Sequence, residues 1–180
     1  NGRTDLENKV LRHTTDAFTE DPVRVLRLAR FLARFGKQWS IDPSTQELVK
    51  QMVAAGELHH LVPERIFKET EKALGEHEPQ LYFDALHTLG VLPILFPELA
   101  NMHNVPQPPQ HHPEGDVYVH TMLVLNRAAS LNYDLPTRFA ALTHDFGKPL
   151  VYSQQGNLHG HEEAGGAVIE KFCERLRVPN

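Results

Sequence analysis

At 180 residues and a net charge of −5, the chain is long enough for one ordinary domain or two small helical ones. It carries no global basic field to advertise nucleic-acid binding, so RNA contact has to come from a local patch. Its 41% hydrophobic and 23% charged content is that of a globular protein. It contains neither a run of about 18 apolar residues that would span a membrane nor a basic stretch leading an apolar one as in a signal peptide.

The single cysteine, Cys173, excludes an internal disulfide and fits a reducing cytoplasm. Asn1 is not an initiator Met, and the sequence stops at RLRVPN where a new element would be entered. The expectation is a piece of a longer protein.

Almost every periodic segment reads as helix. Asp21-Pro22 opens an amphipathic run to Arg34, with Asp21 at the N-cap, Pro22 at the first helical position and Gly36 closing it. Val25, Leu28, Ala29, Leu32 and Phe35 mark its apolar face. Asp42-Pro43 starts a helix that runs towards Gly56; Pro63 starts one ending at Gly75, and Pro79 one ending at Gly90. Between Pro93 and Pro113 the chain is too rich in proline for a helix or central strand and reads as a connection. Helices follow over 117–131, 137–145 and, beyond the loop SQQGNLHGH, 162–176. LVYSQ at 150–154 is the one weak strand candidate. The fold class is all-α, in two parts: 1–105 and 106–180.

Histidine crowds the second part, where seven of the chain's 12 lie between His103 and His161. His120, in the apolar helix VYVHTMLVLNRAA, needs a partner, because an unsatisfied buried polar group costs about 1–3 kcal/mol. That partner is either a backbone carbonyl or a metal. His144-Asp145, in LTHDFGKP, reads alone as the end of a helix closed by Phe146-Gly147. Together, His120, His144 and Asp145 form an imidazole and carboxylate set that suits Mn, Co, Ni, Zn or Fe, and also Mg. Such a cation acidifies water and offsets charge on a phosphoryl oxygen. Lys148 is placed either to meet a substrate phosphate as a point charge or as a solvated surface lysine. His159 and His161, in HGHEEAGG, put both side chains on one side of an extended segment. They read as phosphate or second-metal contacts, or as a polar loop capping the last helix. His111 and His112 are placed to line the same pocket opposite the metal.

In the first part, EDPVRVLRLARFLARFG pairs a carboxylate, Asp21, with a guanidinium, Arg24. A capping device alone would want Glu or Gln where Arg24 stands. An acceptor beside a donor matches the N4/N3 edge of cytosine and the N6/N1 edge of adenine, whereas uracil and guanine present the reversed order. Asp21 with Arg24 therefore reads either as a protein template for CTP and ATP or as a plain helix cap beside a solvated arginine face. Arg27, Arg30 and Arg34 recur at helical spacing as a basic stripe, either a solvated face or one that meets phosphates.

The segments NGRTDLENKVLRH, EDPVRVLRLARF and PERIFKETEKAL, in this order, resemble the neck and body of bacterial class II tRNA nucleotidyltransferases, the CCA-adding enzymes. His120, His144-Asp145 and the following GK resemble the HD-domain metal-dependent phosphohydrolases, all-helical proteins whose ligands are a His, a His-Asp pair and a later Asp. Together the two resemblances cover essentially the whole chain, as the middle portion of an HD-containing CCA-adding protein.

The resemblance implies that Glu20, Asp21 and Arg24 (the EDxxR motif) select the incoming nucleotide, that Arg27 adds a contact, and that Arg65 and Glu69 (RxxxE) support the site. A plain ion pair between Arg65 and Glu69 one helical turn apart accounts for that last motif equally well. It further implies Mg for nucleotidyl transfer in the parent, Ni, Mn, Co or Mg at the HD site, a cytoplasmic location, and tRNA, CTP, ATP and phosphate-ester nucleotides as partners. The oligomeric state stays open.

Two departures matter. No aspartate follows Asp145, so the fourth HD ligand lies outside this chain or the site is incomplete. The family's catalytic DxD pair and Gly-Gly loop are absent, so the chain alone is not expected to add CCA. A poly(A) polymerase portion, a stand-alone nucleotide phosphohydrolase and a non-catalytic RNA-binding scaffold remain as alternatives.

Overall fold

Helices dominate because apolar periodicity is repeatedly punctuated by proline starts and glycine stops. The computed structural model describes residues 2–110 and 112–179, so His111 lies outside the described residues. The chain packs as two units, the first ending at Leu95 and the second beginning at Phe96.

In the first unit, α1 (Gly2–Glu7) leads into β1 (Val10–Leu11), which pairs in parallel with β2 (Ser40–Ile41). Neither strand was expected, since two residues are too short to show a period. Helices α2 (Val23–Phe35), α3 (Pro43–Ala54), α4 (Pro63–Leu74), α5 (Gln80–Thr88) and α6 (Leu92–Leu95) follow, with short 3-10 helices at Asp16–Glu20 and Glu57–His60. α2 lies against both α4 and α5, burying Val25, Leu26, Ala29 and Ala33. Tyr82 and Phe83 on α5 meet edge to face at 5.0 Å within this core. α2 starts one residue later than the pattern suggested: Pro22 is its N-cap, and Asp21 Oδ1 accepts from Val23 N at 3.2 Å. Gly36 ends α2 at φ 87°, where a Cβ would run into the Glu78 carboxylate.

The expected stripe of Arg27, Arg30 and Arg34 is not continuous. Arg27 and Arg34 are exposed. Arg30 turns inwards, donating from Nε to Glu69 Oε2 at 2.9 Å and from Nη1 to Glu76 Oε1 at 3.0 Å. Acidic groups on α4 and just beyond it capture a guanidinium that local spacing alone assigns to solvent.

The second unit holds α7 (Pro97–Ala100), α8 (Val117–Ser130), α9 (Leu135–Thr143), α10 (Lys148–Gln155) and α11 (His161–Leu176). α8 packs on α9, and α10 on α11. Phe172 of α11 gathers Phe96, Phe139 and Phe146, with ring centroids at 6.4, 6.2 and 5.2 Å. Arg175 Nη2 donates to Glu98 Oε2 at 2.7 Å. These ties of Phe96 and Glu98 to α11 draw the division upstream of the 105/106 boundary that the proline-rich stretch suggested. The strand reading of 150–154 is corrected: these residues lie in α10, which has Pro149 in its first turn and a left-handed Gly156 as its cap. α9 begins at Leu135, before residue 137, because Asp134 caps it by accepting from Thr137 N at 3.0 Å.

Burial pushes the Glu69 carboxyl up, but Lys72 and Arg30 outweigh it and hold the group below its ordinary value of 4.5. A carboxylate depressed in the folded state contributes stability above its unfolded pKa and loses it as pH falls through the folded one. Glu69→Gln is therefore expected to cost about 1.5–3 kcal/mol at pH 7 and much less at pH 3. Urea unfolding at both pH values checks this, and equal losses at the two would contradict it.

Candidate functional site

The second unit brings the expected metal residues together around one carboxylate. Asp145 follows the end of α9 and is almost fully buried, at 1% exposure. His144 Nε2 stands 3.2 Å from its Oδ2 and His120 Nε2, from α8, 4.0 Å. His161 Nε2, from the first turn of α11, stands 3.7 Å from its Oδ1. Lys148 Nζ lies 2.7 Å from Oδ2. Despite these neighbours, the buried Oδ2 accepts no well-directed hydrogen bond.

Each of the three imidazoles has its other nitrogen engaged. His144 Nδ1 is 2.9 Å from the Ala141 carbonyl and His161 Nδ1 2.8 Å from that of Leu158. His120 Nδ1 is 2.5 Å from Glu114 Oε1. A carbonyl or ionised carboxylate can only accept, so each Nδ1 carries a proton and, in the neutral ring, the Nε2 lone pair is left towards Asp145. His120, His144 and Asp145 offer ligand atoms within 4.8 Å of one another. An under-bonded buried carboxylate oxygen facing imidazole lone pairs is a donor set that fits a borderline divalent cation.

Burial pushes the Asp145 carboxyl up, yet His144 and Lys148 beside it hold it down at about 2. Burial also pushes His144 down, while Asp145 raises it above its ordinary value of 6.5 on balance. The same carboxylate thus draws a second proton onto His144, one that a bound cation would displace.

Lys148 is not the solvated surface lysine that was one of its two expected settings. It is buried, and its ammonium donates to Gln107 Oε1 at 2.5 Å as well as facing Asp145. His112 joins the group through Glu114, its Nδ1 3.3 Å from Oε1 and its ring edge-on to His120 at 4.6 Å. The expected H-x-H pairing fails: His159 is exposed, because Gly160 at φ 80° turns the chain between it and His161. Gly147 was expected to stop a helix, but its φ of −78° is right-handed. Its role is spatial, because a Cβ there would overlap the His161 carbonyl and lie 2.6 Å from Gly165 N.

In the first unit, Asp21, Arg24, Arg27, Phe18, Phe31 and Arg65 line a cavity of about 600 Å³. Asp21 and Arg24 share this cavity without pairing. Asp21 Oδ2 accepts from Arg65 Nη2 at 2.7 Å, which holds the carboxyl below its ordinary value, and Arg24 Nη1 donates to the Ala17 carbonyl. The expected Arg65–Glu69 pair is replaced, since Glu69 is taken by Arg30 and Lys72.

Sequence reasoning missed Glu114, Gln107 and the Asp21–Arg65 pair. Glu114 stands in the polar run HPEGD and reads locally as solvated surface. The other two depend on partners 41 and 44 residues away.

Residues 39–102 match the family model described as the probable RNA and SrmB-binding site of polymerase A, and residues 117–179 match the HD domain. The chain is 49% identical, over all of its length, to the multifunctional CCA protein of Thioalkalivibrio sulfidiphilus (strain HL-EbGR7), and it spans 44% of that protein. A CCA-adding enzyme solved with ATP shares the fold over 99% of this chain and 37% of its own, with a TM-score of 0.60 and 23% identity. The Thermotoga maritima CCA-adding enzyme complexed with tRNA does so over 99% and 38%, with a TM-score of 0.60 and 22% identity.

Gly147→Ala tests the close approach that sets His161 against Asp145. It is expected to cost about 1–3 kcal/mol as an overpacked substitution and to shift the His161 ring resonances in NMR spectra. Unchanged stability and unchanged resonances would contradict the packing described. Residues 117–179 are thus similar to HD domains, and the all-α chain as a whole is similar along its entire length to a multifunctional CCA protein.

Proposed function

We propose that this chain is the nucleotide-selecting neck and body, joined to an HD phosphohydrolase portion, of a protein that completes and repairs tRNA 3′ ends in the cytoplasm using CTP and ATP. The single observation that carries the hydrolase half is the convergence of His120, His144 and His161 Nε2 on the buried Asp145 carboxylate. The nucleotidyltransferase half rests on the full-length similarity to a multifunctional CCA protein, together with the cavity holding Asp21, Arg24 and Arg27.

His120, His144 and Asp145 would hold a divalent cation (Ni, Mn, Co or Mg). When bound, the cation supplies Lewis acidity towards a phosphoryl oxygen and lowers the pKa of water at the site. His161, on the other oxygen of Asp145, is placed to contact the substrate or a second cation. Lys148 forms an ion pair with Asp145 and donates to Gln107 Oε1. Its first duty is to hold the Asp145 carboxylate in place, with an N–H left for a phosphate oxygen. His112 sits at the rim, where its ring meets His120. The substrates are 2′,3′-cyclic phosphates, 2′-phosphates and related nucleotide esters.

At the other site, Asp21 retains unused lone pairs after accepting from Val23 and Arg65, and Arg24 retains guanidinium protons after reaching Ala17. These are the acceptor and donor that a cytosine or adenine edge would meet. Arg65 fixes the carboxylate from behind, and Arg27 offers charge to the triphosphate, whose Mg would be held by the parent's catalytic head. The match of 39–102 to a polymerase A segment keeps poly(A) addition as the second reading. Sequencing the product made by the full-length protein separates the two.

His144→Ala and Asp145→Ala are expected to bring bound Ni or Co to background and to abolish hydrolysis of 2′,3′-cyclic AMP in the full-length protein, while CCA addition continues. Asp21→Ala is expected to lower selection of CTP and ATP over UTP and GTP by about 100-fold or more with hydrolysis intact. Hydrolysis that survives both HD substitutions would sink the first half; unaltered nucleotide selection would sink the second.

A further inference from the structure

Glu114 belongs to none of the motifs above, yet it touches two histidines of the site. Its Oε1 lies 2.5 Å from His120 Nδ1 and 3.3 Å from His112 Nδ1. The backbone around it is pinned. Gln107 N donates to the Gly115 carbonyl at 3.0 Å, Gly115 N to that of His112 at 2.9 Å, and Val117 N to that of Val105 at 3.1 Å. Gly115 turns the chain at φ 75°, a conformation that favours glycine. Glu114 is thus held against His120 by the same short loop that leads into α8.

Two roles are open to a carboxylate in this place. It is either a ligand of its own cation together with His112 and His120, whose donor atoms lie within 4.8 Å, or an outer partner that orients His120. The imidazole of His120 decides between them. Its two nitrogens point at different carboxylates: Nδ1 at Glu114, and Nε2 at Asp145 4.0 Å away. A neutral ring carries one proton, and the 2.5 Å contact with an acceptor places it on Nδ1. His144 and His161 are set in the same tautomer by the Ala141 and Leu158 carbonyls. At His120 the Glu114 carboxylate does this work.

We propose that Glu114 is a positioning residue that holds His120 as the Nδ1–H tautomer and so presents its Nε2 as a ligand, contributing to cation affinity without itself ligating. An outer carboxylate of this kind also makes the ring a stronger donor, and its loss typically weakens metal binding about 10–100-fold. The affinity part rests on the His120–His144–Asp145 reading above; the tautomer part does not need it.

Long-range proton–nitrogen NMR on the metal-free chain at pH 8 reads the tautomer, and calorimetric titration with Co or Mn reads the affinity. The wild-type chain is expected to show Nδ1–H at His120. Glu114→Ala is expected to move the proton towards Nε2 and to weaken cation binding about 10–100-fold. Glu114→Gln, whose carbonyl oxygen also accepts, is expected to keep the tautomer and restore most of the affinity. An unchanged His120 tautomer in Glu114→Ala overturns the proposal. So does a Glu114→Gln variant that binds as weakly as His120→Ala, since Glu114 would then be a ligand. If the wild-type chain binds no cation while the His120 tautomer still follows Glu114, the metal reading fails and the orienting role stands.

Discussion

A carboxylate buried to 1% exposure stays ionised only if its surroundings offset the lost hydration, and in this protein that condition organises the second unit. Asp145 needs cationic or donor groups on every open side. The chain supplies an ammonium from the start of α10 and gathers imidazoles from α8, from the end of α9 and from the start of α11. Lys148 meets it one helical turn on, with Gln107 bracing the ammonium from the proline-rich loop. His120, His144 and His161 arrive with their Nδ1 atoms already engaged. A fully hydrogen-bonded carboxylate would be a structural ion cluster. This one keeps an oxygen short of directed hydrogen bonds, as expected where a further positive group completes the shell.

Packing explains how such a cluster is assembled. Phe172 collects Phe139 and Phe146 from either side of His144-Asp145 and so ties that pair to α11. Gly147, directly after Phe146, lets the backbone of α11 come within a distance that any side chain would forbid. The apolar core and the small residue together place His161 on the opposite oxygen of Asp145 from His144. In the first unit an analogous economy operates. Glu69, buried beneath α2, fixes Arg30 and Lys72, so Arg65 is left to reach Asp21 across the cavity.

The parts legible in the sequence were those set by local rules. Prolines and glycines located most helices to within a few residues, and the His120, His144-Asp145 spacing identified three groups that do come together. What stayed hidden depended on distant partners. Arg30 reads as one member of an exposed stripe until Glu69 and Glu76 are brought beside it. Lys148 reads as a surface cation until Gln107, 41 residues earlier, is found on its ammonium. LVYSQ reads as a strand because its β-branched and aromatic residues outweigh, locally, the proline before it and the glycine after. Glu114 gives no signal at all, since a carboxylate in a polar loop is ordinary until a specific ring nitrogen is found against it.

The most direct measurement is cobalt K-edge X-ray absorption of the Co-loaded chain. The account predicts a nitrogen and oxygen first shell near the metal–imidazole distance of about 2.0–2.1 Å, with the outer scattering of at least two histidine rings. A shell of oxygen atoms alone, without imidazole scattering, would contradict the claim that His120, His144 and Asp145 form the metal site.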